Sequence, residues 1–401
     1  MSSGDASTPP PVDQSSEWRP SHNPWVIAFS VMLATFMEVL DTSVANVSLP
    51  HIAGTLSATP EEATWVLTSY LVANAIILPT AAWFSTVFGR KRFLLACIIL
   101  FTLASAGCGA APSLALLVLA RVFQGLGGGA LQPIAQAVLM ESFPPARRGV
   151  AMATYGIGVV VAPILGPTLG GWVTENYTWR WIFYINLPIG LLAILMVQAF
   201  VEDPPYIRRR EGWARIDYIG FGLMAIGLAT LQVMLDRGQE DDWFAAVWVR
   251  WFAVIATVCL VSFVIRELWT KDPIVDLRIL RNRNFAIGTL LITVLAIILY
   301  STIAMLPLFM QILMGYSALL SGLALTPRGL GALLTNIVVG RLIAFVDGRV
   351  MITLGFVLLG LTGFMFSHMN LQIAMSNVVS VNFLNGVATA LVFVSLTTMT
   401  M

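Results

Sequence analysis

Charge is scarce in this sequence. Of its 401 residues only 11% are Asp, Glu, Lys or Arg, against 58% apolar side chains, and the mean hydropathy is +0.83. A chain of that balance cannot cover a water-soluble surface, which excludes a soluble globular protein. Lysine is scarcer still. Lys91 and Lys271 are its only copies and neither follows a glycine, so there is no G-x-x-x-x-G-K-[ST] phosphate loop and no P-loop of the chain's own to fuel work. His22, His51 and His368 are too scattered for a metal site. Cys97, Cys108 and Cys259 lack C-x-x-C spacing, which favours small-residue packing over disulfide or metal chemistry. The polar connections near 202–215 and 267–284 are too short for a catalytic domain, and no apolar run pairs a nucleophile with a base. An enzyme is not expected, nor a cofactor, nor a nucleic-acid partner; the net charge of +1 says little about others.

What is present is apolar length. Twelve runs can each span roughly 30 Å of hydrocarbon as helix: near 25–49, 63–86, 93–111, 114–140, 150–174, 182–201, 216–235, 244–266, 285–313, 321–346, 350–367 and 372–401. The first 24 residues are polar and rich in Pro and Ser, without the basic start of a signal peptide, and read as a disordered tail. With that tail inside, 17 Lys and Arg fall in inner connections and Arg180, Arg237 and Arg250 in outer ones. The positive-inside rule then places the amino terminus of a multi-pass membrane protein in the cytoplasm.

Three short matches recur in order at nearly constant offset: VSLPHI around Pro50 with AMLPLF around Pro307, Gly89-Arg90 with Gly348-Arg349, and Gly125 with Gly386. They point to a duplicated helix bundle. The expected organisation is a tail 1–24, a six-helix half 25–201, a two-helix insert 202–283 and a second half 284–401 with four helices. A repeat of six would need two more, so the chain is expected to be a carboxy-terminally incomplete copy of a fourteen-helix protein.

Against this background the charges inside the spans stand out. Asp41 lies roughly 12 Å below the outer end of the first span and Arg121 roughly 10 Å below that of the fourth, at 1.5 Å per residue. Opposite charges therefore share a level. Glu38 is one turn from Asp41 on the same face, and Gln124 is one turn from Arg121. Because a charge at the bilayer centre costs about 2.5–3.5 kcal/mol, these groups are expected to face one another and a wet cavity, as proton-coupling residues (Asp41, Arg121, Glu38) and substrate-cavity residues (Glu38, Asp41, Gln124). The plainer reading is an ion pair that only joins two helices. In the fifth span Gly158, Ala162, Gly166 and Gly170 recur every four residues, with Pro163 and Pro167 between them and Gly171 after, a smooth stripe for close helix approach. Gly89, Arg90, Lys91 and Arg92, with Gly348 and Arg349, are candidate gate residues at the inner face. Arg328 is expected near the outer end of its span, snorkelling to the interface.

Several motifs together resemble the Major Facilitator Superfamily, and within it the fourteen-helix drug:proton antiporters of the EmrB/QacA type: LDTSVANVSLPHIAG, GRKR, LARVFQGLGGGALQP, GPTLGG and WRWIFYINLPIG. The resemblance covers about 25–401. It implies an all-α transport fold of two pseudo-symmetric halves in which an entering proton drives export of a hydrophobic, often cationic, compound. By motif, Asp41 would be the membrane-embedded acid, Arg121 the arginine of proton coupling, and Gly166, Pro167, Gly170 and Gly171 the antiporter motif. One departure is visible: Ala82, Thr86 and Val87 stand where the loop motif usually has Gly and Asp-Arg. Relatives of this type in double-membrane bacteria often work with a periplasmic adaptor and an outer-membrane channel, though no residue here singles out such a partner. An uncoupled facilitator or ligand sensor of the same fold is the other reading.

Overall fold

The structure is a computed structural model and describes residues 20–204, 217–270, 273–342 and 346–400; most of the tail read as disordered lies outside them. The described chain becomes helical at Pro24. Pro24 opens α1 (Pro24–Thr55), and the Asn23 side chain accepts from the Trp25 amide, so the first orphan amides are either absent or satisfied. A reciprocal box of Thr59 and Glu62 starts α2 (Pro60–Ala63), which runs straight into α3 (Trp65–Phe88). Gly89, at φ +87°, breaks the chain between α3 and α4 (Arg90–Ala110), a backbone conformation that only glycine adopts without strain.

The fourth span is α5 (Leu114–Gly128) continuing into α6 (Leu131–Ser142), the fifth α7 (Pro145–Asn176), and the sixth α8 (Trp181–Tyr184) with α9 (Asn186–Phe200). Then come α10 (Tyr218–Arg237), α11 (Val247–Trp269), α12 (Arg283–Leu308) with a π turn over Phe309–Leu313, α13 (Ala318–Leu342), α14 (Gly348–Ser367) and α15 (Met375–Thr400). Among the described residues eleven helices are long and apolar enough to cross a membrane. The tenth expected span is the 25-residue helix α13, which carries Pro327, Arg328 and Asn336.

Helices α1, α3 to α7 and α9 pack together, α1 along α7 and α9, and α5 between α3 and α4. In the second half α15 lies between α13 and α14 and touches α12. The two halves meet through α7 and α13. Helices α10 and α11 form a pair, with α10 on the outside of α3. Thr68 donates to Asp236 at 2.5 Å, and Arg237 donates to the Glu61 carbonyl while stacking 4.9 Å over the Trp65 ring. At the other end of the pair Arg266 holds Asp217, the N-cap of α10, at 2.8 Å, and this hydrogen bond keeps the Asp217 carboxyl below the ordinary carboxylate range.

The duplication suggested by the sequence reappears as packing. A Cβ added to Gly125 would overlap the backbone carbonyl oxygen of Tyr70, and one added to Gly386 would overlap that of Arg328. Tyr70 and Arg328 differ by 258 positions and the two glycines by 261. In each half, then, the same glycine lets two helix backbones touch. The likeness does not extend to the inner turn: Gly348 sits in the first turn of α14 without the positive φ of Gly89.

Candidate proton-coupling site

The two charges placed at one level by counting residues are in contact. Arg121 Nη1 lies 2.5 Å from Asp41 Oδ2, with the arginine 0% and the aspartate 2% exposed. Three further constraints orient the guanidinium. Nε donates to the Val66 carbonyl at 2.9 Å, Nη1 donates to Gln124 Oε1 at 2.7 Å, and the group lies 4.3 Å over the Tyr70 ring. Asp41 Oδ1, for its part, accepts from Gln124 Nε2 at 2.9 Å and from Asn186 Nδ2 at 2.6 Å. Ser105 Oγ accepts from the same two amides and donates to the Phe183 carbonyl. Cys108 donates to Gln124 Oε1 at 3.4 Å, so this thiol does more than pack. The network joins α1, α3, α4, α5 and α9, and a buried carboxylate with a cation and two amide donors is stabilised chiefly by those contacts.

Glu38, one turn away, has a different company. It is 6% exposed and accepts from Tyr70 Oη at 3.2 Å and Gln132 Nε2 at 2.9 Å. Both donors are neutral. Asn74 donates to the same Tyr70 oxygen at 3.4 Å, so Tyr70 links the carboxylate to the face that stacks on Arg121. The two acids are thus separated chemically as well as along the helix: a proton on Asp41 breaks an ion pair, while a proton on Glu38 removes a charge that no cation balances.

Of the residues expected to line a wet cavity, Asp41 and Gln124 are enclosed by helices in this conformation and Glu38 is nearly so. An open apolar groove of about 610 Å³ lies elsewhere, against Ser301, Thr302, Met305, Phe309, Gly363 and Phe366. A smaller one of about 250 Å³ lies between α3, α5 and α10.

The small-residue stripe of α7 faces α1. A Cβ on Gly158 would strike Met32, one on Gly166 the Ser43 side chain, and one on Gly170 Val44; Ala162 is fully buried on the same face. Ser43 donates to the Pro163 carbonyl, an acceptor left near the prolines that interrupt the helix ladder. Gly171 is buried beside the stripe. On its opposite side α7 meets the second half: a Cβ on Gly322 would lie 2.6 Å from the Pro167 backbone, and Thr168 hydrogen-bonds Thr326 at 3.2 Å. One helix therefore contacts both the helix of the acids and the other half of the molecule.

At the Gly89 turn Lys91 donates its amide to Asp203 at 2.8 Å and its Nζ to the Gln198 carbonyl at 2.7 Å, while Arg90 pairs with Glu141 of α6. A carboxylate at the start of α4 answers the orphan amides there. Arg92 is exposed, and in the second half Asp347 caps Arg349, which is exposed beside Gly348. The paired gate residues are therefore tied differently in the two halves. Ser21 and His22, at the end of the expected tail, bond Glu202, and the hydrogen bonds from Ser21 hold that carboxyl below its ordinary range.

Arg328 corrects an expectation. The helix begins at Ala318, which puts Arg328 roughly 15 Å along it, 9% exposed. It is mid-helix and buried, not at an interface. Sequence reasoning also missed Tyr70, Ser105, Gln132, Asn186 and Asp203. All but the last are uncharged, and nothing in their spacing marks which helix faces which; Asn186, two residues before Pro188 in the INLP run, was the nearest to a signal.

A family model described as the Major Facilitator Superfamily matches residues 31–401. The chain is 39% identical over 379 residues to a fatty acid resistance protein, FarB, of Neisseria gonorrhoeae, covering 94% of this chain and 74% of that one. It is 38% identical over 378 residues to the multidrug export protein EmrB of Escherichia coli K12, covering 94% and 73%. A solved structure of the xylose transporter XylE from E. coli, in a partially occluded inward-open conformation, superposes with a TM-score of 0.63 at 13% identity over 94% of this chain and 84% of that one. Eleven membrane-length helices, a duplicated glycine contact and relatives of this closeness make one assignment: the chain belongs to the Major Facilitator Superfamily, as a multi-pass membrane transporter of small molecules in its EmrB-type branch.

Proposed function

We propose that this protein exports small hydrophobic compounds from the cytoplasm across a bacterial inner membrane, in exchange for protons entering from outside, with its amino terminus cytoplasmic. The observation that carries the reading is the pair of buried acids one turn apart on α1. Asp41 is held by Arg121, while Glu38 meets only neutral donors. Such a pair can hold a proton or a cationic cargo group at different stages of a cycle. Protonation of Asp41 frees Arg121 from α1, and the five helices tied by that network then have a second stable arrangement. Helix α7, smooth against α1 and in contact with α13, is placed to carry that change to the other half.

The relatives' names support the cargo class: one is a fatty acid resistance protein and another a multidrug export protein. An adaptor and an outer channel belong to the proposal only as partners to be sought by co-purification.

The test uses everted membrane vesicles and a lipophilic fluorescent compound. Uptake against a concentration gradient should require an imposed proton gradient, and an uncoupler should collapse it to equilibration. Accumulation that survives the uncoupler would remove proton coupling, and equilibration that never needed the gradient would identify a facilitator instead.

A further inference from the structure

Among the described residues of the second half one buried cation, Arg328, has no charge of opposite sign to balance it. From residue 283 to 401 the sequence holds one acidic residue, Asp347, and its carboxylate caps the start of α14 by accepting from the Arg349 amide. Arg328 sits in the middle of α13, 91% of its surface covered by protein, and neither Nη1 nor Nη2 has a hydrogen-bond partner among the described residues. Arg121, its counterpart in burial, has acceptors on α1, α3 and α5.

The internal repeat makes the imbalance specific. Arg328 occupies the place that Tyr70 has in the first half, with its carbonyl under Gly386 as Tyr70's is under Gly125. The positions that would repeat Glu38 and Asp41 on α12, at the offset of the Pro50 and Pro307 match, are Leu295 and Ile298. Asn382 and Asn385 of α15 stand where Arg121 and Gln124 stand on α5. Among the described residues, the first half thus encloses two carboxylates and one guanidinium, and residues 284–400 enclose a guanidinium without a carboxylate. An unpaired charge in a medium of low dielectric is costly enough that a group of opposite sign is expected to meet it.

Another buried polar atom on α13 is open too. Ser321, seven residues before Arg328 and so on the same face of α13, is fully buried with its Oγ unpartnered. Helix α13 packs on α15 through the Arg328 side and on α7 through the Thr326 side, so the helix that bears Arg328 is part of the contact between the halves, where carriers of this architecture hold their cargo.

We infer that Arg328 is an anion-recognition residue for cargo: it binds the carboxylate of a small amphipathic acid presented between the two halves, giving the transporter a second charge preference opposite to that of the Glu38 side. The inference rests on the transport reading above, but a binding experiment separates the two, because binding needs no proton gradient. The phosphate of an anionic lipid has related chemistry and is distinguished by the choice of bilayer.

The experiment compares 4-phenylbutyrate with 4-phenylbutylammonium, which share an apolar body and differ in head-group sign, binding to the purified protein in nanodiscs of zwitterionic lipid. The wild type should bind the carboxylate at least tenfold more tightly than the ammonium. Arg328→Gln should erase that preference by weakening the carboxylate about tenfold while leaving the ammonium unchanged, and Arg328→Lys, which keeps the charge in a less hydrogen-bonded form, should retain part of it. Equal binding of the two probes by the wild type, or a preference that survives Arg328→Gln, overturns the proposal. So does loss of carboxylate binding when the nanodiscs are made with phosphatidylglycerol, since that outcome assigns the site to lipid. Arg328→Gln that binds the ammonium as the wild type does is also the control for folding.

Discussion

Asp41→Asn is expected to lower proton-driven export in proteoliposomes on the order of a hundredfold or more, the scale on which a positioned proton-transfer group contributes, while the protein still inserts. The structure shows why this substitution needs a companion. Asn leaves Arg121 buried against a neutral amide, and breaking one partner of a buried pair typically costs about 3–5 kcal/mol, so export could fall through damage to the fold alone. Asp41→Asn combined with Arg121→Gln removes both charges and leaves amides that Gln124 and Asn186 can still reach. If the pair only joined helices, the double variant should recover thermal stability and export together, because replacing both partners is often nearly neutral. The coupling account predicts recovery of stability without recovery of export. Export restored in the double variant would reduce Asp41 and Arg121 to a structural bond.

The second large effect concerns the glycines under the helix crossings. Gly125→Val and Gly386→Val should each prevent the close approach of two helix backbones, since even a single added carbon would overlap a carbonyl oxygen that cannot swing aside. Overpacking of that kind costs typically about 1–3 kcal/mol and more when backbone must move. Any gain in helix propensity over glycine, at most about 1 kcal/mol, is outweighed. Thermal denaturation in micelles should show both variants losing their folded form well below the wild type, and by similar amounts, because the two glycines do the same work in the two halves. Gly156 and Gly363, against which an added Cβ would meet nothing, should tolerate Ala. A Gly386 variant as stable as the wild type would argue that the second half is not packed as the first is.

How much of this was legible beforehand follows from what kind of signal each feature leaves. Asp41 and Arg121 could be matched because charge is so rare in these spans and because a helix converts residue count into depth. The same arithmetic failed for Arg328, where the LTPRGLG run looks like the end of a helix but lies inside one that begins at Ala318. Gly125 and Gly386 were visible as a repeat, yet only the coordinates show that each lies on a carbonyl of a helix more than fifty residues away. Tyr70, Ser105 and Asn186 left no trace, since a polar uncharged residue in an apolar run is as often back-bonded to its own helix, as Thr42 and Ser30 are here, as it is joined to another. Asp203 lay in a polar connection and became visible as a partner only when the start of α4 was seen to need an anion.

The central claim is that protons move when cargo moves, and the most direct measurement is of the protons. Proteoliposomes of the purified protein, loaded with a pH-sensitive dye and given a cargo gradient but no initial pH difference, should show the lumen changing pH in step with cargo flux and in the opposite direction to it. Glu38→Gln and Asp41→Asn should each abolish that signal. Cargo that equilibrates at the wild-type rate while the lumen stays at constant pH would contradict the account.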